Sequence, residues 1–394
     1  MERIGIYGGT FNPPHVGHMR AAQCALERLQ LDKLYLIPDR IAPHKILPEG
    51  SASAEQRLEM VRMSAEALQD ARVEVSDLEL RREGPSYSYI TVGQIRQMHP
   101  SAQIFLLMGT DMFLSFLTWR NAQLIWEEAT LAVFCRGERN EMQAIARQRE
   151  AMIAVGARVE LIDNPVVSIS STDLRTMLLL RCAGPYLMPG VEAYIREKGL
   201  YRTNRNLQGL SDAQLEEVAV SLLKPERVNH VLGCRDTAVA MARVWGVDET
   251  DAARAGLLHD VTKALSGTLQ LTFCREYGML TDDFSQRNPK ILHALTGAMV
   301  ARHIFGEKEA VVQAIRWHTT GRPNMTTLEK IIYVADYMEP NRDFPGVEEL
   351  RRLAFTDLDG ALRLGLTMTL DMLKSKGGEI CADSQAALEF YEKQ

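Results

Sequence analysis

The sequence predicts two domains of different fold class, an α/β domain with a parallel sheet followed by an all-α domain. The chain has 394 residues, and at about 100–200 residues per domain this length fits two or three domains. Up to about residue 200, short apolar runs alternate with amphipathic segments, as in a parallel sheet covered by helices. Beyond that point the helical periodicity continues with few β-branched runs. We place the domains at 1–203 and 211–394, with a polar linker at 204–210.

Five apolar runs in the first domain are typical of buried strands. They are RIGIY (3–7), KLYLIP (33–38), QIFLLMG (103–109), TLAVFC (130–135) and RVELID (158–163). Amphipathic segments between them predict helices that include 17–29, 54–69 and 140–155. Because ligands of such folds bind at the carboxyl ends of the strands, we expect the functional residues of this domain there.

The second domain is predicted to be helical almost throughout. Ser211 or Asp212 is a suitable N-cap for its first helix. The predicted helices are 213–223, 227–245, 249–264, 290–305, 308–318, 326–338 and 355–375. The residues from 377 onward carry no decisive pattern.

The composition excludes several classes of protein. Hydrophobic residues make up 46% and charged residues 24% of the chain, which excludes a disordered, collagen-like or coiled-coil protein. A net charge of −6 argues against a broad basic surface, so we expect no nucleic-acid partner. The six cysteines lack CxxC spacing and fit free thiols in a reducing compartment. With no signal peptide and no run of about 18–20 apolar residues, we expect a cytoplasmic protein without a membrane partner.

The segment IGIYGGTFNPPHVGH (4–18) combines a strand, a glycine turn and the start of a helix. Gly8 and Gly9 allow the backbone to turn sharply and to approach a ligand. The helix directs its free N–H groups and positive dipole end to the same place. His15 and His18, three residues apart, can share a face there and donate hydrogen bonds to phosphate oxygens that gain charge in a transition state.

This motif resembles the signature of the HxGH nucleotidyltransferases, which have a Rossmann-like fold. The further segments PHK (43–45), EGPSYSYITV (83–92), GTDMFLSFLTWR (109–120) and VSISSTDLR (167–175) are similar to those of the bacterial nicotinate-nucleotide adenylyltransferases, the NadD family, over residues 3–200. The resemblance implies adenylyl transfer from ATP, with Mg²⁺, to nicotinate mononucleotide, giving nicotinate adenine dinucleotide and pyrophosphate. Asn12 and Thr110 stand where the family more often has Asp and Ala.

The resemblance also implies roles for individual residues. Ser171, Thr172 and Arg175 form a second anion cradle, Asp111 contacts adenosine or ribose, and Trp119 stacks on the nicotinate ring. The catalytic residues are His15, His18, Lys45 and Arg175, and the nucleotide-binding residues are Gly8, Gly9, Thr10, Phe11, Tyr87, Thr91, Gly109, Asp111, Trp119, Arg120, Ser171 and Thr172. The choice between nicotinate and nicotinamide mononucleotide depends on backbone donors and stays open.

A second group of candidate residues lies in the helical domain. Histidine and carboxylate ligands together suit Fe, Mn, Co or Zn ions. The candidate metal ligands are His230, His259, Asp260, His293, His318 and Asp336. His303 fits no position in this pattern. The sequence therefore predicts a metal site held between helices.

The segments around these ligands resemble the YqeK-type HD hydrolases over residues 211–375. They are HVLGCRDTA (230–238), LLHDVTKAL (257–265), LHALTGA (292–298) and AIRWHTTGRPNMTTLEKIIYVADYMEPNRDFPG (314–346). The resemblance implies symmetrical hydrolysis of diadenosine tetraphosphate to two ADP with one or two divalent transition metals, iron first and otherwise Mn, Co or Zn. One metal is held by His230, His259, Asp260 and Asp336, and Asp260 bridges to a second held by His293 and His318.

Three further residues of this domain are expected to act on phosphate. Lys263, on the same side of the predicted helix 249–264 as Asp260, neutralises substrate phosphate or assists the leaving group. Asn341 and Arg342 bind outer phosphates.

Several alternatives stay open. One alternative to diadenosine tetraphosphate hydrolysis is that the HD domain is a nucleotide-binding regulatory module. Another is that it hydrolyses dNTPs, guanosine alarmones or nucleoside monophosphates. For the first domain, the alternative is that the acceptor is nicotinamide mononucleotide in place of nicotinate mononucleotide. Coupling between the sites and assembly into a homo-oligomer are not decided by the sequence.

Overall fold

The chain forms two compact units, Met1–Arg205 and Asn206–Gln394. The structure, a computed structural model, describes residues 1–43, 45–135, 139–164, 167 and 169–393. His44 and Ser168, which belong to two of the motifs quoted above, lie outside the described residues. None of the helices in the described part of the chain combines the length and apolarity that a bilayer crossing needs.

The first unit is built on a six-stranded, entirely parallel sheet with the strand order β3-β2-β1-β4-β5-β6. The strands are β1 (Arg3–Gly9), β2 (Lys33–Pro38), β3 (Val73–Val75), β4 (Gln103–Gly109), β5 (Ala129–Cys135) and β6 (Val159–Asp163). The predicted α/β class is confirmed, and five of these strands coincide with predicted ones. β3 was missed because its three residues are too few to show alternation.

Helices cover both faces of this sheet. They are α1 (Val16–Arg28), α2 (Ala54–Glu66), α3 (Ser88–Met98), α4 (Thr110–Leu114), α5 (Ala122–Glu128), α6 (Arg139–Ala154), α7 (Ser171–Leu179) and α8 (Val191–Glu197). Successive strand residues enter opposite layers of the core. Ile104 and Leu106 of β4 lie in one apolar cluster, whereas Phe105 and Leu107 lie in the other. This two-sided burial explains why the strands read as continuous apolar runs.

The strand order places a ligand crevice in the middle of the sheet. β1 pairs with β2 on one side and with β4 on the other, so the direction of chain progression reverses at β1. In open α/β sheets ligands bind at such a reversal, beyond the carboxyl ends of the strands. Gly9 ends β1 and Gly109 ends β4, which brings the two predicted motifs that follow them to this crevice.

The second unit is all-α, as predicted. Its helices in the described residues are α9 (Asp212–Ser221), α10 (Pro225–Trp245), α11 (Glu249–Leu258), α12 (Gly267–Glu276), α13 (Asp283–Arg287), α14 (Leu292–Val300), α15 (Glu309–Trp317), α16 (Thr327–Met338), α17 (Val347–Ala354), α18 (Leu358–Ser375) and α19 (Ala382–Tyr391). A π-helical turn, Ala301–Phe305, continues α14. Ser211 is the N-cap of α9 and accepts a hydrogen bond from the backbone of Gln214.

The predicted helix 249–264 was wrong in its length. α11 ends at Leu258, so His259 is its C-cap and Asp260 lies in the turn that follows. Tertiary contacts replace the helical ladder, because the Thr262 carbonyl accepts from Gln270 and its hydroxyl donates to the His293 carbonyl. The apolar periodicity continues past Leu258 and gave no sign of this ending.

Candidate active sites

Two histidines stand at the first turn of α1, at the mouth of the sheet crevice. His15 is the N-cap, and its ring lies 3.6 Å from that of His18 between centroids. The backbone N–H of His15 donates to His18 Nδ1 at 3.2 Å. Because a backbone N–H can only donate, the neutral His18 ring carries its proton on Nε2. His18 therefore presents an N–H donor at its outer edge.

Both histidines are uncharged near neutral pH. Burial lowers the pKa of His15 to about 4. Burial, followed by the charges of His15 and Lys45, holds the pKa of His18 well below its usual value. The two rings therefore act as hydrogen-bond donors, and positive potential at the site comes from Lys45 and the N-terminus of α1.

A buried arginine fixes the glycine-rich loop. Arg57 of α2 is 1% exposed, and its Nη1 donates to the Thr10 carbonyl at 2.6 Å and to Asp39 Oδ1 at 2.9 Å. The Thr10 hydroxyl donates to the other Asp39 oxygen at 2.8 Å. These bonds connect the loop after β1 to the end of β2 and hold its backbone groups in place.

The N-terminus of α7 is joined to the same loop. The Ser171 hydroxyl donates to the Pro13 carbonyl at 3.3 Å. Arg175 donates to the Asn12 carbonyl at 2.8 Å and to the Thr172 hydroxyl at 3.0 Å. Two helix N-termini, those of α1 and α7, therefore meet at one place, as the predicted second anion cradle requires.

Two cavities adjoin at these residues. One of about 450 Å³ is lined by His15, Asp111 and Ser170, among others. The other, of about 320 Å³, is lined by Lys45 and Trp119 as well as the glycine-rich loop. Both are lined by Tyr7, His18, Gly109 and Ser171. The predicted residues that line at least one of them are Gly8, Gly9, Thr10, Phe11, His15, His18, Lys45, Gly109, Asp111, Trp119 and Ser171.

The other predicted residues of this unit do not line either cavity. They are Tyr87, Thr91, Arg120, Thr172 and Arg175. The Arg120 guanidinium lies 5.0 Å from the centre of the Tyr87 ring. Thr91 is buried, and its hydroxyl donates to Glu79 at 2.5 Å and accepts from Arg82 at 2.8 Å. Thr91 does not line the smaller cavity itself. It supports Glu79, which does.

In the second unit, the four predicted histidine ligands all direct Nε2 to one centre. Each ring places Nδ1 against an oxygen atom. For His259, His293 and His318 that oxygen is a backbone carbonyl, which can only accept, so Nδ1 carries the proton and Nε2 presents its lone pair to a metal. The Nδ1 partners are Glu339 Oε1 at 3.1 Å for His230, Gly256 O at 2.7 Å for His259, Lys290 O at 2.6 Å for His293 and Ile315 O at 2.7 Å for His318.

Asp260 lies between two pairs of histidines. Its Oδ2 is 3.8 Å from His230 Nε2 and 3.6 Å from His259 Nε2. Its Oδ1 is 3.3 Å from His293 Nε2 and 3.8 Å from His318 Nε2. One carboxylate oxygen thus faces each pair, which is the arrangement of a bridging ligand.

The sixth predicted ligand, Asp336, completes one side. Its Oδ1 lies 3.1 Å from His230 Nε2 and 3.9 Å from His259 Nε2. The six ligands come together as three overlapping groups whose donor atoms lie within 4.8 Å of one another: His230, His259 and Asp260; His259, His318 and Asp336; and Asp260, His293 and His318.

The donor atoms fit divalent metal ions. His230 Nε2, His259 Nε2 and Asp260 Oδ1 are buried and have no hydrogen-bond partner in the described part of the chain. The Nε2 atoms of His293 and His318 are 3.1 Å apart, and each faces a donor, Lys263 Nζ at 2.8 Å from His293 Nε2 and the Thr319 hydroxyl at 3.0 Å from His318 Nε2. Imidazole and carboxylate together suit Fe, Mn, Co or Zn.

The environment of the centre favours an ionised Asp260 and neutral rings at His293 and His318. Burial acts to raise the pKa of Asp260, but the neighbouring His259 and Lys263 outweigh it and hold that pKa below its usual value. Burial lowers the pKa of His293 to about 4 and that of His318 well below the usual value. Ligands in these protonation states need lose no proton to bind a metal.

Three cations surround the carboxylates. Arg227, in the first turn of α10, contacts Asp260 Oδ2. Lys263 Nζ lies 3.7 Å from Asp260 Oδ1, close to the ligands as predicted although the helix ends before it. Arg342 donates to Asp336 Oδ1 at 3.0 Å. The centre thus combines sites for metal with cations suited to phosphate.

Comparisons with known proteins match each unit separately. A cytidylyltransferase-like family model matches residues 6–177, and an HD domain model matches residues 227–341. A probable nicotinate-nucleotide adenylyltransferase of Exiguobacterium sibiricum is 36% identical over 203 residues, which are 51% of this chain and 100% of that protein. A symmetrical bis(5'-nucleosyl)-tetraphosphatase of Halalkalibacterium halodurans is 43% identical over 173 residues, 43% of this chain and 92% of that protein.

The chain belongs to the nicotinate-nucleotide adenylyltransferase family through its first unit and to the symmetrical bis(5'-nucleosyl)-tetraphosphatase family through its second. Both resemblances predicted from the motifs are confirmed. A crystal structure of a predicted HD superfamily hydrolase involved in NAD metabolism, from Clostridium acetobutylicum, is 39% identical, with a TM-score of 0.46, over 47% of this chain and 98% of that one.

Both units contain supporting residues that were not predicted from the sequence. In the adenylyltransferase unit these are Arg57 and Asp39, and the signal was an arginine on the buried face of an amphipathic helix. In the tetraphosphatase unit they are Arg227, three residues before the ligand His230 on α10, and Glu339, the C-cap of α16 three residues after the ligand Asp336. Asn341, predicted to bind outer phosphates, donates its amide to Glu339 at 2.8 Å and to the Asn229 carbonyl at 3.2 Å.

Proposed function

We propose that this chain is a bifunctional enzyme of nucleotide metabolism. Its first unit transfers the adenylyl group of ATP to nicotinate mononucleotide, which gives nicotinate adenine dinucleotide and pyrophosphate. Its second unit hydrolyses diadenosine tetraphosphate symmetrically to two ADP. The first activity is supported most strongly by two adjoining cavities that share His18, and the second by a carboxylate, Asp260, that faces two pairs of histidines.

The two cavities fit the two substrates of adenylyl transfer. The larger, with Asp111 and the N-terminus of α7, suits ATP with its Mg²⁺. The smaller, with Lys45 and the aromatic face of Trp119, suits the mononucleotide and its pyridine ring. The phosphate oxygen of the mononucleotide then attacks the α-phosphorus where the cavities meet, and pyrophosphate leaves.

The protein acts in this step by placing donors around the reacting phosphorus. The Nε2–H of His18 and the free N–H groups at the start of α1 and α7 stabilise the charge that develops on the phosphate oxygens. The Arg57–Asp39–Thr10 bonds hold the loop backbone in position. No covalent enzyme intermediate is required, because positioning and charge stabilisation supply the catalysis.

The tetraphosphatase unit contributes ligands and cations to hydrolysis. Divalent metal ions, when bound, lower the pKa of water and polarise the attacked phosphorus. The imidazoles are oriented for them by their Nδ1 hydrogen bonds, and Asp260 connects the two ligand sets. Lys263 and Arg342 lie where they can balance phosphate charge. We expect iron as the metal, with Mn, Co and Zn as the alternatives that the ligands also suit.

A substrate panel tests both assignments. The purified chain, loaded anaerobically with Fe(II) or with Mn(II), should convert diadenosine tetraphosphate to ADP alone. ATP plus AMP would contradict symmetrical cleavage. Binding of diadenosine tetraphosphate without any product would indicate a regulatory module. Hydrolysis of dNTPs, guanosine alarmones or nucleoside monophosphates, but not of diadenosine tetraphosphate, would assign a different substrate to this unit.

The transferase needs a parallel test with its two candidate acceptors. With ATP and Mg²⁺, nicotinate mononucleotide should be used in preference to nicotinamide mononucleotide. We place the enzyme in the cytoplasm, because the six cysteines are free thiols and thiols stay reduced in that compartment.

A further inference from the structure

Arg227 is a cation of the tetraphosphatase centre that no motif assigned. We propose that Arg227 binds the polyphosphate of the substrate, from the side of Asp260 opposite to Lys263. This inference rests on the proposed hydrolase function and names one more group that touches the substrate.

The position of Arg227 gives it access to both the ligands and the solvent. It lies three residues before His230 in the first turn of α10, so the two side chains share a face of that helix. Its guanidinium contacts Asp260 Oδ2, and its side chain is 27% exposed. The guanidinium is therefore both next to a metal ligand and open to solvent, from which phosphate can approach it.

Most hydrogen-bond donors of Arg227 are unused. A guanidinium has five N–H groups, and in the described part of the chain the only side-chain partner of Arg227 is Asp260. Its Nε is buried and lacks a partner there. Arg351, by contrast, donates to three backbone carbonyls, those of Met338, Glu339 and Arg342. Arg351 is committed to the fold, whereas Arg227 keeps donors for a ligand.

The two oxygens of Asp260 separate the cations into two sides. Arg227 contacts Oδ2, which faces His230 and His259, and Lys263 lies near Oδ1, which faces the other histidine pair. A dinucleoside tetraphosphate extends two phosphates in each direction from its central linkage. A cation on either side of the bridging carboxylate matches that symmetry, since each can hold the phosphates of one ADP half.

Metal ions and Arg227 would compete for the same carboxylate oxygen. Once divalent ions neutralise Asp260, the guanidinium is released to pair with phosphate oxygens, for which its planar fork is well suited. Removing Arg227 should therefore weaken binding of phosphate without weakening binding of metal. This separates a substrate contact from a purely structural role.

The test compares Arg227→Gln, Arg227→Lys and a control, Arg243→Gln. Arg243 lies in the last turn of α10 and pairs with Glu249 at 2.8 Å, away from the ligands. For each full-length, metal-loaded protein we would measure metal content, the Kd of ADP by calorimetry and kcat/KM for diadenosine tetraphosphate. Loss of a charge-assisted hydrogen bond should weaken ADP binding and lower kcat/KM about ten- to a hundredfold in Arg227→Gln.

The metal content of Arg227→Gln should equal that of the wild type, Arg227→Lys should recover part of the loss, and Arg243→Gln should match the wild type. Unchanged ADP affinity together with unchanged kcat/KM would overturn the inference. A loss of metal in Arg227→Gln would also overturn it, because Arg227 would then only support Asp260. A wild-type protein that makes no ADP would refute the hydrolase proposal, and the ADP affinities would still decide the role of Arg227.

Discussion

The two active sites use histidine in opposite ways, and the atom next to Nδ1 sets the difference. In the adenylyltransferase unit, His18 Nδ1 accepts from a backbone N–H, so Nε2 carries a proton and can donate. In the tetraphosphatase unit, the Nδ1 atoms of His259, His293 and His318 donate to backbone carbonyls, so Nε2 presents a lone pair. One side chain thus serves as a phosphate donor or as a metal ligand according to its local backbone.

The two sites also differ in how they are assembled along the chain. The two histidines and the glycine-rich loop of the HxGH site come from one continuous segment, residues 4–18, which Arg57 and the N-terminus of α7 support. The metal centre takes ligands from α10, α14, α16 and the residues that follow α11 and α15, so it exists only in the folded unit. We therefore expect single substitutions to damage one site and spare the other.

The largest effect is expected from Asp260→Ala. Asp260 faces all four histidine ligands, so its loss should remove bound metal and reduce hydrolysis of diadenosine tetraphosphate to background. Metal analysis and product chromatography measure this, while adenylyl transfer should stay within about twofold of the wild type. Loss of both activities in a folded protein would contradict the separation of the sites.

His18→Ala should give the converse result. Loss of one donor to the developing charge lowers kcat by about 10²–10³-fold, and hydrolysis should be unaffected. Two further variants show which ring nitrogen of His18 is the donor. The amide of Gln reaches the position of Nε2, whereas the amide of Asn reaches the position of Nδ1. His18→Gln should retain more transferase activity than His18→Asn. The reverse order would contradict an Nε2–H donor.

Glu339→Gln tests the orientation of His230 with a smaller expected effect. The carboxylate accepts from His230 Nδ1 at 3.1 Å, and loss of such a supporting group lowers metal affinity about 10–100-fold. Competition with a chelator measures that affinity. An affinity equal to that of the wild type would show that His230 does not depend on Glu339.

The smallest predicted effect is a pH dependence of stability from His15. Its pKa is about 4 in the folded state against 6.5 when exposed, so the unfolded chain binds the proton more readily as pH falls from 6.5 towards 4. Between pH 7 and pH 5 this removes about 2 kcal/mol of unfolding free energy. Denaturant titrations of the wild type and of His15→Asn, which cannot titrate, should diverge by that amount. If the unfolding free energies of the two proteins changed with pH in parallel, the ring of His15 would not be buried.

Much of this could be predicted from the sequence, and the failures have physical causes. The glycine-rich motif and the six metal ligands were found because their chemistry needs particular residue types at particular positions. β3 is too short to carry a pattern, and α11 stops at Leu258 because of bonds to Gln270 and His293 that a local pattern does not contain. Arg57, Arg227 and Glu339 act through partners distant in the chain, so their roles appear only once the chain is folded.

The proton positions of the histidines decide whether the two units use this side chain in opposite ways. Nitrogen-15 spectra of the full-length, metal-free protein, labelled at histidine and assigned with single-site variants, distinguish the two neutral tautomers. We predict the Nε2–H form for His18 and the Nδ1–H form for His259, His293 and His318 at neutral pH. The Nδ1–H or the doubly protonated form of His18, or the Nε2–H form at those three ligands, would contradict this assignment of donor and ligand roles.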